Sequence, residues 1–106
     1  MSYSKANYRN VGAEGGALHF LRDELDCENL GITVIDAEPG WEGMEHDHAD
    51  EGQEEVYLLT EGQAAIEVDN EVVQLEEGDA IRVSADEERK LVNGDTQSTI
   101  VAVGAP

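Results

Sequence analysis

Apolar residues recur in short runs from Leu30 to the C-terminus, and each run ends in residues suited to turns. The pattern predicts strands over Leu30–Ala37, Met44–Ala49, Glu55–Thr60, Gln63–Val68, Val72–Leu75, Ala80–Ser84, Lys90–Val92 and Thr99–Val103. Between them stand Glu38-Pro39-Gly40, Glu61-Gly62, Asp69-Asn70, Glu77-Gly78 and Asn93-Gly94, pairs of the kind hairpins use. No alternation of strands with helical periods is present. Many short strands with regular turns predict an all-β, antiparallel sandwich or barrel of the jelly-roll kind.

The first third of the chain is less patterned. Residues 1–16 end in Gly12, Gly15 and Gly16 and read as an extended arm, with at most an edge strand over Tyr8–Val11. Leu18, Leu21 and Leu25 sit at helical spacing while Leu18, Phe20 and Arg22 suit a strand, so Ala17–Leu25 is read as a strand running into a helical turn. His19 in this stretch is read as a packed or surface residue.

At 106 residues the chain has room for one domain, 1–106, with a single core. Its 25 Asp and Glu against 6 Lys and Arg give a net charge of −19, which repels nucleic acid and anionic membrane alike. Apolar residues still reach 40%, in ordered runs, so the chain folds rather than remaining disordered. With so much self-repulsion and only Lys5 and Lys90 as lysines, the composition suits a salt-loaded cytoplasm, where screening shortens repulsion to a few ångströms. The expectation is a halophile's protein. Cys27 alone supports no intrachain disulfide, the N-terminus MSYSKANYRN lacks a signal peptide's apolar core, and no apolar run approaches a membrane span. A cytoplasmic setting is expected.

The chemistry concentrates between Gly40 and Gly62. On a strand, His46 and His48 project from one face, and Glu55 opens the next apolar run, where a polar loop can fold it beside them. Two imidazoles and one carboxylate form the usual shell of a mononuclear transition-metal site. Glu55, Tyr57 and Leu59 share a face of their strand, so Tyr57 lines any cavity into which Glu55 looks, with Ala65, Val73 and Ile81 as its expected apolar wall. Tyr57 and Trp41 are candidates for ligand contact or for plain core packing.

The frame of Gly40, five residues, His46, Asp47, His48, then Glu55, six residues and Gly62 resembles the first motif of the cupin superfamily. The resemblance extends from about Gly31 to the C-terminus. It implies a double-stranded β-helix in which His46, His48 and Glu55 bind a divalent Fe, Mn, Ni or Zn ion. The family leaves three or four residues between its second histidine and its glutamate, whereas six separate His48 from Glu55. Counting back from the Glu61-Gly62 turn selects Glu55, because a strand's register is fixed while a loop tolerates insertion. Gln53 and Glu54 are the fallback ligands.

The family's second motif maps onto Gly78, Ser84, Asp86, Arg89 and Asn93, with Arg89 where a third ligating histidine is expected. A guanidinium cannot coordinate a metal. Arg89 therefore either pairs with Glu55 as a bidentate partner, clamps a ligand's carboxylate or phosphate, or turns outward to Glu87 or Glu88. About 6 Å from a divalent ion, at an effective dielectric of about 20, it repels the ion by roughly 5 kcal/mol before screening. Two functional classes follow. One is a metal-binding barrel that holds a small anionic metabolite; the other is a metal-dependent enzyme of dioxygenase, isomerase or decarboxylase type. Because small barrels leave sheet edges that need cover, a homodimer paired through the arm or an edge strand is also expected.

Overall fold

The computed structural model describes Ser2–Pro106, which form eight strands and a single 3-10 turn at Tyr8–Asn10. The strands are β1 Leu18–Phe20, β2 Gly31–Ala37, β3 Glu54–Glu61, β4 Ala64–Val68, β5 Glu71–Leu75, β6 Ala80–Val83, β7 Arg89–Asn93 and β8 Ser98–Ala105. Two antiparallel sheets face each other, one in the order β1-β2-β8-β3-β6 and the other β5-β4-β7. Side chains alternate as the pattern predicts: Ser98, Ile100 and Ala102 of β8 are buried while the residues between them are half-exposed. Between the sheets Ile35, Tyr57, Leu59, Ile66, Leu75, Val83, Leu91 and Ile100 form one core.

Of the turns read from the sequence, only Asp69-Asn70 closes a hairpin between neighbouring strands. Both residues take positive φ, 48° and 69°, the conformation that a two-residue turn between twisted strands requires. Glu61-Gly62, Glu77-Gly78 and Asn93-Gly94 are instead corners at which the chain changes sheet. Gly62 is indispensable at its corner, since a Cβ would lie 2.4 Å from the Gln97 carbonyl oxygen and φ is +89°.

Three local expectations are corrected. Met44–Ala49 forms no strand; it runs beside β7 through isolated bridges, Glu42 to Val92 and His46 to Arg89, whose uneven spacing interrupts the ladder. Tyr8–Val11 forms the 3-10 turn rather than an edge strand because the Asn7 side chain accepts a bond from the Arg9 N–H and caps it. Ala65 turns outward, since Ala64 and Ile66 are the inward residues of β4, and Val73 and Ile81 pack against the core without lining the cavity. Beyond β1 the chain does enter a helical turn, with the Leu25 N–H bonded to the Leu21 carbonyl. Among the described residues no helix is long and apolar enough to cross a membrane.

Candidate metal centre

The inward face of β3 ends in Glu55, beyond Tyr57 and Leu59. Directly across the ladder lies Gly104, where a Cβ would come within 3.2 Å of the Glu55 Cγ, so the missing side chain makes room for the carboxyl group. The irregular segment beside β7 supplies the histidines. His46 is fixed by paired backbone bonds to Arg89, and the His48 N–H donates to the Ala85 carbonyl. His46, His48 and Glu55 thus bring one potential ligand atom each to within 4.8 Å of one another.

The ring orientations matter as much as the grouping. His46 Nδ1 lies 3.0 Å from the Met44 carbonyl oxygen, and His48 Nδ1 lies 3.0 Å from Glu51 Oε2. Both partners accept, so each Nδ1 carries a proton, and in the neutral tautomer this leaves each ring's Nε2 lone pair facing the site. Carbonyl or carboxylate support on the far nitrogen is the arrangement that metal-ligating histidines use. The Nε2 atoms stand 3.9 Å (His46) and 3.1 Å (His48) from Glu55 Oε1, yet the buried His48 Nε2 makes no hydrogen bond. An orphaned buried nitrogen beside a second imidazole and a carboxylate fits a divalent transition metal. Glu54 lies outside this cluster and faces solvent 3.6 Å from Arg82. Glu51 was missed from the sequence, although its three-residue spacing from His48 was a usable signal.

Arg89 turns inward and is 1% exposed. Its Nη1 donates to Glu55 Oε1 at 3.0 Å, its Nε to the Glu87 carbonyl at 2.9 Å, and its Nη2 to the Ser84 carbonyl. The contact with Glu55 is therefore single rather than bidentate, and the outward pairing with Glu87 or Glu88 side chains does not occur. Each guanidinium nitrogen makes one bond to the protein, and Arg89 does not line the cavity. Asn93, at the end of the same strand, bonds the carbonyls of Ala37, Glu38 and Thr96 and ties the β7 corner to β2.

Burial pushes the Glu55 carboxyl upward, but the neighbouring His46 ring, the Tyr57 hydroxyl, His48 and the Arg89 guanidinium outweigh it and hold the group at about 2. It is an anion throughout the neutral range. The same carboxylate raises His46 above the usual imidazole value. Tyr57, whose hydroxyl donates to Glu55 Oε1, is raised by burial and then by the Glu55 charge, so it stays protonated.

The triad sits at one end of a cavity of about 390 Å³. Leu18, Phe20, Ile35, Trp41, Met44 and Leu91 make most of its wall, and the Trp41 ring is held by a 2.8 Å bond from Nε1 to the Gly15 carbonyl. Tyr57 is 2% exposed, so it belongs to the core and to the cavity floor together. His19 stands apart, with Nδ1 2.7 Å from the Val11 carbonyl oxygen.

Two facing antiparallel sheets with a His-His-Glu cluster between them define a small β-barrel with a metal-type cavity. A profile of the cupin domain matches residues 33–104, and the chain belongs to the cupin superfamily. An uncharacterised protein with a double-stranded β-helix domain from Klebsiella pneumoniae aligns at 22% identity and a TM-score of 0.79, over 97% of this chain and 90% of that one. A cupin 2 conserved barrel domain protein from Salinispora arenicola aligns at 19% identity and 0.77, over 100% and 89%. A sugar phosphate isomerase of the cupin superfamily from Silicibacter pomeroyi aligns at 25% identity and 0.73, over 98% of this chain and 68% of that one. A search of curated proteins returned no match.

Proposed function

We propose that this cupin is a metal-dependent binding barrel: His46, His48 and Glu55 hold a divalent Fe, Mn, Ni or Zn ion, and the cavity beside them takes a small ligand. The observation that carries the proposal is the pair of imidazoles fixed through Nδ1 by Met44 and Glu51, with both Nε2 atoms turned to an ionised carboxylate. When bound, the ion supplies a Lewis-acid centre to which one donor end of a ligand can attach.

The chain's own residues restrict the ligand. Arg89 does not line the cavity, and among the described residues no other arginine and no lysine does. A ligand's negative charge is therefore met at the triad, and its body meets Phe20, Trp41, Met44 and Leu91. A small molecule with an apolar or aromatic body and a single anionic or neutral donor group fits this division.

The catalytic alternative draws support from the Silicibacter pomeroyi sugar phosphate isomerase. The apolar wall and the absence of a lining cation favour a different ligand class from sugar phosphates. Metal analysis of protein purified without chelator in molar KCl tests the main reading. Stoichiometric transition metal in the wild type, and its loss in His48→Ala, is the expected result; a protein that takes up no metal when titrated with Mn, Fe, Ni or Zn would refute it.

A further inference from the structure

On the inward side of β2 one residue breaks the apolar pattern. Gly31, Ile35 and Ala37 share that side with Thr33, a half-buried residue for which valine would offer nearly the same shape and strand preference. The registers set Phe20, Thr33, Ala102 and Tyr57 in one row across β1, β2, β8 and β3, and all four line the cavity. Ala102 has the smallest side chain of the row, so the cavity floor dips between Thr33 and Tyr57. Outside the triad, the other polar side chains around the cavity are already engaged. The Tyr57 hydroxyl donates to Glu55, the Trp41 N–H to the Gly15 carbonyl, and Glu42 pairs with Lys90 at 2.7 Å. The Thr33 hydroxyl bonds no other described residue, which leaves it free for a molecule lying in the cavity.

We propose that Thr33 is a specificity-determining residue, whose hydroxyl bonds a second, uncharged polar group of the ligand that the triad holds by its first. The inference rests on the metal-binding reading above and adds a second point of recognition to it. The registers set the length of the ligand. Glu55 lies in the row of Gly104 and Gly31, two strands across and two residues along from Thr33. At about 4.8 Å per strand and about 3.4 Å per residue, roughly 12 Å separates the two positions. A contact of about 2.8 Å at each end leaves about 6 Å between the ligand's two polar groups. A six-membered aromatic ring with polar groups at opposite corners has this reach, and it has few torsions to freeze as it settles over Ala102 beside Trp41 and Leu91. The far group is uncharged, because among the described residues no lysine or arginine lines the cavity to meet a second negative charge.

Calorimetric titration in molar KCl with 4-hydroxybenzoate and 4-methylbenzoate tests the inference, since these acids match in shape and differ only at the far group. The metal-loaded wild type should bind 4-hydroxybenzoate at least about fivefold more tightly. In Thr33→Val that order should reverse, because the ligand's hydroxyl is then buried against a methyl group. Thr33→Ser, which restores the hydroxyl, should keep the wild-type order and serves in its place if Thr33→Val does not fold: an order reversed in Thr33→Ser counts against the contact. A wild type that binds 4-methylbenzoate as tightly as 4-hydroxybenzoate overturns the inference. So does a preference for 4-hydroxybenzoate that survives in Thr33→Val, or a wild type that binds neither acid at millimolar concentration. Metal uptake is titrated first and reports on the triad alone. A wild type that takes up no metal refutes the metal-binding reading; the two acids are then compared on the metal-free protein, where the same order of affinities decides the role of Thr33.

Discussion

Replacing Arg89 with methionine should act in opposite directions on stability and on metal affinity. The guanidinium is 1% exposed and makes three bonds: one charge-assisted bond to Glu55 at 3.0 Å and two to the carbonyls of Glu87 and Ser84. Losing the first costs about 1.5–3 kcal/mol, and each carbonyl left without its donor adds about 1 kcal/mol or more. Burial of the methionine side chain returns part of this. The net expectation is a loss of about 3–5 kcal/mol, as for other buried ion pairs broken on one side. At roughly 4–8 °C per kcal/mol for a domain of this size, the melting temperature of the metal-free protein should fall by at least about 12 °C. Urea denaturation followed by circular dichroism measures the change without the added ionic screening that guanidinium would bring. Metal should nevertheless bind more tightly. The variant removes a positive charge beside the triad, and the repulsion of roughly 5 kcal/mol before screening leaves room for a gain of at least tenfold even after salt and relaxation reduce it. Arg89→His adds a possible ligand and should gain more. An Arg89→Met protein that loses less than about 1 kcal/mol of stability and binds metal no tighter would refute the account of Arg89 as a buried anchor of Glu55.

Glu51→Gln should weaken metal binding by about tenfold while leaving the melting temperature of the metal-free protein nearly unchanged, because Glu51 only supports His48 Nδ1 from a solvent-exposed loop; calorimetric titration reads the difference. Glu55 is held at about 2, below its ordinary 4.5, so its stabilising contribution is present above pH 4.5 and is lost as pH falls toward 2. That depression corresponds to roughly 3 kcal/mol, and the stability of Glu55→Gln relative to wild type should therefore improve by about this amount on acidification across the same window. His46 is raised, so its contribution is present below about pH 6.5 and is lost as pH climbs through its folded value; in His46→Gln that part of the pH dependence should disappear. From the net charge of −19 we also propose adaptation to salt: the melting temperature should rise steadily from dilute buffer to molar KCl, and a flat profile would count against it.

The local chemistry of this protein is legible in its sequence. Alternation along Glu55, Tyr57 and Leu59 correctly put three side chains on the inward face of β3, because a strand's two-residue period is a property of the backbone itself. The backward count from Gly62 reached Glu55 for a related reason: that corner tolerates no Cβ, so it pins the strand before it, whereas the loop from Ala49 to Gly52 could lengthen without moving either end. What lay beyond reach depended on which strands meet. Turn residues mark where the chain reverses but not whether it reverses within a sheet or between sheets, so three corners looked like hairpins. Arg89 was the plainest case. Its spacing placed it at the site, but only the packed structure supplies the two carbonyls and the carboxylate that engage its three nitrogens away from the cavity, and so makes it an anchor for Glu55. The outward row of Val34, Val101, Leu58 and Ala80 was equally hidden, because these residues are scattered along the chain and become neighbours only through the register of four strands.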